Sequence, residues 1–170
     1  MREKNAVYAG SFDPVHNGHM FVIKEGSKLF DNLFVVIGNN TTKNHLFSKD
    51  EREEFVSELM VYYPNIFVST LLENELTADF ANKNRCDYML RGLRDSQDLI
   101  YESSIQFVNS QLYPDIQTIF LNTPMEFQYI SSSVIRELLK LKKYDLLKEK
   151  YIYPTICEKV IEAWEKKNGK

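Results

Sequence analysis

The stretch Ala6-Val7-Tyr8-Ala9-Gly10-Ser11-Phe12-Asp13-Pro14-Val15-His16-Asn17-Gly18-His19 decides the reading of this chain. Its first four residues form a short apolar run that reads as strand one. A loop rich in turn formers follows, and Gly18 and His19 open a helical pattern that reaches about Phe30. Free N–H groups and the dipole at such a helix start favour an anion, and a histidine there can donate to a phosphate oxygen. His16 and His19 are three apart and can share a helix face. Zinc is the poorer reading, because the HExxH pattern needs a spacing of four with Glu between, and no cysteine pair or third ligand accompanies them.

Working outward, the same strand–helix alternation repeats. Leu33–Ile37 reads as a fully buried second strand, Ile66–Val68 as a third, Tyr88–Leu90 as a fourth and Thr118–Leu121 as a fifth. Between them, Ser48-Lys49-Asp50-Glu51 is a capping box that opens a helix presenting Phe55, Val56, Leu59 and Met60. Ala78–Asn84 predicts a short helix. A longer one over Asp95–Leu112 carries Tyr101, Ile105, Val108 and Leu112 as an apolar stripe. The remainder is helical, with Ser131-Ser132-Ser133 as N-cap candidates and Val134, Ile135, Leu138 and Leu139 inward. Pro154 suits the first turn of a last helix whose inner face is Ile156, Val160, Ile161 and Trp164.

Strands alternating with helices imply parallel strands joined by right-handed crossovers. The expectation is a single α/β domain over residues 1–170, a doubly wound, Rossmann-like five-stranded sheet of order 3-2-1-4-5 with C-terminal helices. In such a sheet ligands bind at the strands' carboxyl ends, beside the point where the winding reverses. That point lies between strands one and four, so chemistry is sought in the segments that follow them.

Composition narrows the class. The 170 residues carry a net charge of -3, which argues against a nonspecific nucleic-acid partner, since a basic excess supplies that affinity. No apolar run approaches the roughly 20 residues that cross a bilayer, and the N-terminus has no signal-peptide core. Cys86 and Cys157 are solitary and read as buried thiols. The expectation is a cytoplasmic chain with no membrane partner.

The string Gly10–His19 resembles the signature G-[ST]-F-D-P-x-x-x-G-H of the adenylyl- and cytidylyltransferase superfamily. The resemblance implies that Ser11, Phe12, Gly18 and His19 contact ATP, with His19 binding its phosphates and stabilising the transition state. Strand four runs into Arg91-Gly92-Leu93-Arg94, followed by Tyr101-Glu102. This is similar to the R-G-L-R…Y-E pattern of phosphopantetheine adenylyltransferases, and implies that Arg91 holds the acceptor phosphate while Gly92, Leu93, Arg94 and Glu102 line the ATP site. Phe127-Gln128-Tyr129-Ile130-Ser131-Ser132-Ser133 resembles the W-x-[FY]-I-S-S-S segment that closes over ATP there, with Phe127 in place of Trp. Lys43 matches the first lysine of N-P-x-K-K-x-x-F. Leu76 and Thr77, with Phe80-Ala81, fit the segment that binds the pantetheine arm.

What the resemblance implies is transfer of the adenylyl group of ATP to 4′-phosphopantetheine, with Mg2+ as cofactor. It further implies a homo-hexamer and feedback binding of coenzyme A. A phosphomonoester acceptor has a second pKa near ~6 and is already mostly dianionic, so no catalytic base is needed. His19, Lys43 and Arg91 are then the catalytic set, with Ser11, Lys43, Leu76, Thr77 and Arg91 on the acceptor. Several positions depart from the pattern: Phe21 stands for Asp, Asn44 for the second lysine, Ile100 for an acid, and Ser110 for Arg. His16 and Ser132–Arg136 are similar to nicotinamide or nicotinate mononucleotide adenylyltransferases. That acceptor, and a catalytically silent nucleotide-binding regulator, stay open as alternatives at this point.

Overall fold

The computed structural model describes residues 2–38 and 44–169. Five strands, β1 (Asn5–Gly10), β2 (Asn32–Ile37), β3 (Ile66–Thr70), β4 (Tyr88–Leu93) and β5 (Gln117–Asn122), form one parallel sheet in the order β3-β2-β1-β4-β5. The crossovers hold α1 (Asn17–Leu29), α2 (Lys49–Met60), α3 (Thr77–Lys83) and α4 (Ser96–Leu112). After β5 come α5 (Met125–Gln128), α6 (Ser132–Lys140), and α7 (Tyr144–Leu146) running into a π-helical turn over Leu147–Tyr151. The last helix is α8 (Pro154–Asn168). The doubly wound sheet and its order agree with the sequence expectation.

β1 is buried on both sides, and its alternation feeds two cores. Ala6 and Tyr8 pack with α1, α2, α6 and α8, whereas Val7 and Ala9 pack with Ala78, Phe80 and Ala81 of α3. Close approach of α1 to the sheet depends on Gly26, where a Cβ would meet Leu90 Cδ2 at 2.6 Å and Leu33 Cδ2 at 3.0 Å. Ser48 and Glu51 form the reciprocal cap of α2 that the sequence predicts. Pro154 opens α8, whose Lys159 bridges Glu54 and Glu58 of α2. Cys86 and Cys157 are buried thiols, and burial pushes them up to about 12 and about 11.

Two features position the site. β1 pairs with β2 from Asn5 to Gly10, but with β4 only at Ala6–Tyr88 and Val7–Met89. Toward their carboxyl ends β1 and β4 therefore part, at the point where the winding reverses. β4 also runs longer than the sequence suggests, so Arg91, Gly92 and Leu93 belong to the strand and pair with β5.

One expectation is corrected by α4. Its stripe does not form an inner face: Tyr101, Val108 and Leu112 are exposed, and no residue of the helix is buried. The helix rests on β4, where Asn109 Nδ2 donates to Met89 Sδ at 3.8 Å, while Ile100, Tyr101, Phe107, Val108 and Leu112 stay exposed. No helix of the described residues is long and apolar enough to cross a membrane.

Candidate active site

The parted ends of β1 and β4 open into a cavity of about 240 Å3, roofed by α1, α4 and the segment from Thr123 to Ser132. Among the sequence-predicted residues, Gly18, His19, Gly92, Arg94, Glu102, Phe127, Ile130, Ser131 and Ser132 line it together. Three stretches up to about 120 residues apart in sequence thus meet at one crevice.

His19 is set by His16. The backbone N–H of His16 donates to His19 Nδ1, and His16 Nδ1 accepts the N–H of His19, both at 3.3 Å. This is a capping box made from two imidazoles at the start of α1. The rings stack at 3.6 Å between centroids, and Phe12 closes on His19 edge-first at 4.9 Å. Because Nδ1 of His19 is an acceptor, the proton of the neutral ring sits on Nε2. Burial, and then the Arg94 charge, push the His19 pKa down to about 3. His19 is therefore a neutral donor near pH 7, not a proton source. His16 is held well below its ordinary value by burial, His19 and Arg94, and its role is the cap.

Arg94 is held by Asp98, one helical turn on. Its Nε and Nη2 donate to Oδ2 and Oδ1 at 2.9 and 3.0 Å, and its backbone N–H donates to Oδ2 at 3.0 Å. The pairing raises Arg94 and lowers Asp98. Arg91 does not line the cavity. Its Nη1 donates to Ala9 O at 3.0 Å, where the backbone of β4 no longer reaches β1, and its Nε lies 3.1 Å from Glu102 Oε2. That ion pair lacks hydrogen-bond geometry, so Glu102 Oε2 is a buried oxygen without a hydrogen-bond partner at the cavity wall.

Other sequence-predicted residues fall elsewhere. The Phe12 ring is fully buried at positive φ, 48°, so its side chain is core and only its main chain can meet a ligand. Ser11 is exposed on the loop after β1, while Leu93, Gln128, Tyr129 and Ser133 lie outside the lining. Leu76 and Thr77 sit at the start of α3, also away from it. Lys43 lies outside the described residues. The serines are partly structural: Ser131 caps α6, Ser132 Oγ donates to Pro14 O at 3.0 Å, and Ser133 Oγ accepts from Arg136 Nη2 at 2.9 Å.

Sequence reasoning missed Tyr8, Val22, Asp98 and Thr123, all of which line the cavity. For Asp98 the signal was present, as an acid four residues after an arginine at a helix start. Asp13, read only as a turn former, is a buried anchor whose carboxylate accepts the N–H groups of Leu46 and Phe47, each at 2.9 Å. Buried Arg52 likewise ties the loops after β1 and β2 by donating to Ser11 O and Gly38 O at 2.6 and 3.0 Å.

Residues 7–138 match the cytidylyltransferase-like family model. The chain belongs to the cytidylyltransferase-like family, among the phosphopantetheine adenylyltransferases. It is 35% identical over 161 residues to a phosphopantetheine adenylyltransferase of Chromobacterium violaceum, covering 95% of this chain and 98% of that one. It is 43% identical over 143 residues to one of Streptococcus suis, covering 84% and 88%. Among solved structures, the nicotinic acid mononucleotide adenylyltransferase of Plasmodium falciparum complexed with APC superposes with a TM-score of 0.71 over 99% of this chain and 97% of that one. At 21% identity that likeness concerns the fold. All the cavity-lining residues of this cytidylyltransferase-like chain lie within the matched segment.

Proposed function

We propose that this chain transfers the adenylyl group of ATP to 4′-phosphopantetheine, giving dephospho-coenzyme A and pyrophosphate. The observation that carries the reading is the neutral His19, its Nε2–H left to donate at the N-terminus of α1 in the crevice between β1 and β4. Full-length relatives bearing that name support the acceptor. A dianionic phosphomonoester is already a nucleophile and needs no catalytic base.

The reaction is a direct in-line displacement at the α-phosphorus. An oxygen of the acceptor phosphate forms the new P–O bond as the bond to pyrophosphate breaks, with no covalent enzyme intermediate. Catalysis then rests on positioning two anions and neutralising the charge that builds between them. His19 Nε2–H and the N–H groups at the start of α1 meet the α-phosphate, where a neutral donor gains strength as charge grows on its acceptor. Arg94 grips the phosphates that leave. Glu102 borders the nucleotide and holds Arg91 through its ion pair at 3.1 Å. Ser131 and Ser132 border the nucleotide, and Arg91 and Lys43 hold the acceptor phosphate, with Ser11, Leu76 and Thr77 toward the pantetheine arm. Mg2+ would be carried by nucleotide oxygens and water rather than by a protein cage. When bound, the ion neutralises triphosphate charge.

The exposed apolar residues of α4, among them Ile100, Tyr101, Phe107 and Val108, support assembly into a homo-hexamer through that helix. Coenzyme A, which contains the product's adenylyl and pantetheine parts, would bind the same crevice as a feedback ligand. The decisive test is pyrophosphate release from ATP with phosphopantetheine, nicotinate mononucleotide and nicotinamide mononucleotide as acceptors. Phosphopantetheine is expected to be strongly preferred. Preference for either mononucleotide, or ATP binding with no pyrophosphate from any acceptor, overturns the assignment.

A further inference from the structure

Asp98 is absent from the motif residues, yet it lines the cavity beside the one arginine that reaches it. A guanidinium has five N–H groups and two edges that can each grip a pair of oxygens. Asp98 occupies the side edge, taking Nε at 2.9 Å and Nη2 at 3.0 Å. The end-on edge, Nη1 with the second N–H of Nη2, has no partner among the described residues and belongs to a side chain that lines the cavity. Oδ2 also accepts the Arg94 backbone N–H at 3.0 Å, so one carboxylate fixes both the root and the head of the arginine. Asp98 is itself braced, because Asp95 caps α4 and accepts the Asp98 N–H at 2.9 Å.

From this we infer that Asp98 is a positioning residue that locks the Arg94 guanidinium with its end-on edge turned to the nucleotide phosphates. An arginine has several soft torsions, and holding them before the ligand arrives removes part of the ordering cost of binding. The same pairing keeps a bare carboxylate from facing the triphosphate, since both of its oxygens are turned to Arg94. Asp98 thus acts through another residue and touches no reacting atom. The inference rests on the reading of Arg94 as a phosphate ligand.

A double-mutant cycle on the full-length protein tests it, with Asp98→Asn, Arg94→Ala and the pair together. Asparagine keeps the shape and can accept from Nε, but its amide nitrogen cannot accept from Nη2. Asp98→Asn is expected to raise the KM for ATP about tenfold, leaving the acceptor KM within twofold. In the Arg94→Ala background the same substitution is expected to change the ATP KM by less than twofold. Equal effects of Asp98→Asn in both backgrounds would overturn the inference, since the residue would then act without Arg94. An unchanged ATP KM in Asp98→Asn with Arg94 intact would overturn it too. If Arg94→Ala itself leaves ATP kinetics untouched, the phosphate assignment fails instead, a separable result. Melting temperatures of all four proteins keep a folding defect distinct, because a purely structural Asp98 lowers Tm and changes no KM ratio. Arg94→Lys supplies the geometric control: a lysine has no end-on edge and is expected not to restore ATP binding.

Discussion

Replacing His19 separates transition-state donation from simple ATP binding. The ring donates from Nε2 because Nδ1 is engaged by the His16 N–H, and a pKa of about 3 leaves roughly one ring in ten thousand protonated at pH 7. Bound phosphates would raise that value. A ring that stays neutral in the complex predicts no histidine titration of kcat between pH 6 and 9. Loss of one preorganised donor costs roughly 10²–10³ in kcat, about 2.7–4 kcal/mol, so His19→Ala is expected to fall in that range. ATP affinity should change far less, because Arg94 and the start of α1 still hold the phosphates. Alanine also removes the acceptor for the His16 N–H, a cap lost at about 0.5–2 kcal/mol of stability. His19→Asn retains an acceptor at that position and is expected to recover Tm without recovering kcat. The assays are steady-state pyrophosphate release, calorimetric ATP binding and thermal melting on the same samples. Near-normal kcat with lost ATP affinity would refute the donor role, and a kcat that rises as pH falls through 6.5 would refute the neutral ring.

Three further outcomes follow from the packing and the charges. Both imidazoles at the start of α1 have pKa values below the unfolded 6.5, so their contribution to stability is complete above pH 6.5 and is lost as pH falls below it, for His19 down to about 3. Urea denaturation is expected to find His19 costing about 1–2 kcal/mol at pH 5 relative to pH 7.5, after allowance for its cavity-facing edge. An identical pH loss in a His16→Asn, His19→Asn variant contradicts this. A Cβ at Gly92 would meet Val22 Cγ2 at 2.6 Å, so Gly92→Ala is expected to cost about 1–3 kcal/mol and impair ATP binding, with Val22→Ala restoring part of both. Wild-type stability in Gly92→Ala would mean that strand and helix move apart freely. Ile100→Asp with Phe107→Asp on α4 is expected to convert an oligomer to a species of about 20 kDa in light scattering, and a wild-type protein already monomeric at micromolar concentration removes that helix as an interface.

Strand number, winding and the location of the crevice were legible in the chain alone. Short β-branched runs separated by helical periodicities permit few arrangements other than a doubly wound parallel sheet, and such a sheet binds at its reversal point. The stretch Gly10–His19 and the run Arg91–Arg94 pointed to phosphate chemistry through their place after strands one and four and their resemblance to nucleotidyltransferase motifs. Tertiary structure alone decided which groups are spoken for. Arg91 and Arg94 look equivalent in sequence, yet the parting of β1 from β4 hands Arg91 the bare carbonyl of Ala9, while Asp98 takes one edge of Arg94. His16 became a cap through reciprocal bonds to His19, three residues on, whereas Asp13 became an anchor for Leu46 and Phe47 because the fold brought a segment far along the chain to its carboxylate. Periodicity likewise marked the apolar stripe of α4 but not what covers it. A helical repeat records which residues share a face, whereas burial depends on whether another surface lies within reach of that face.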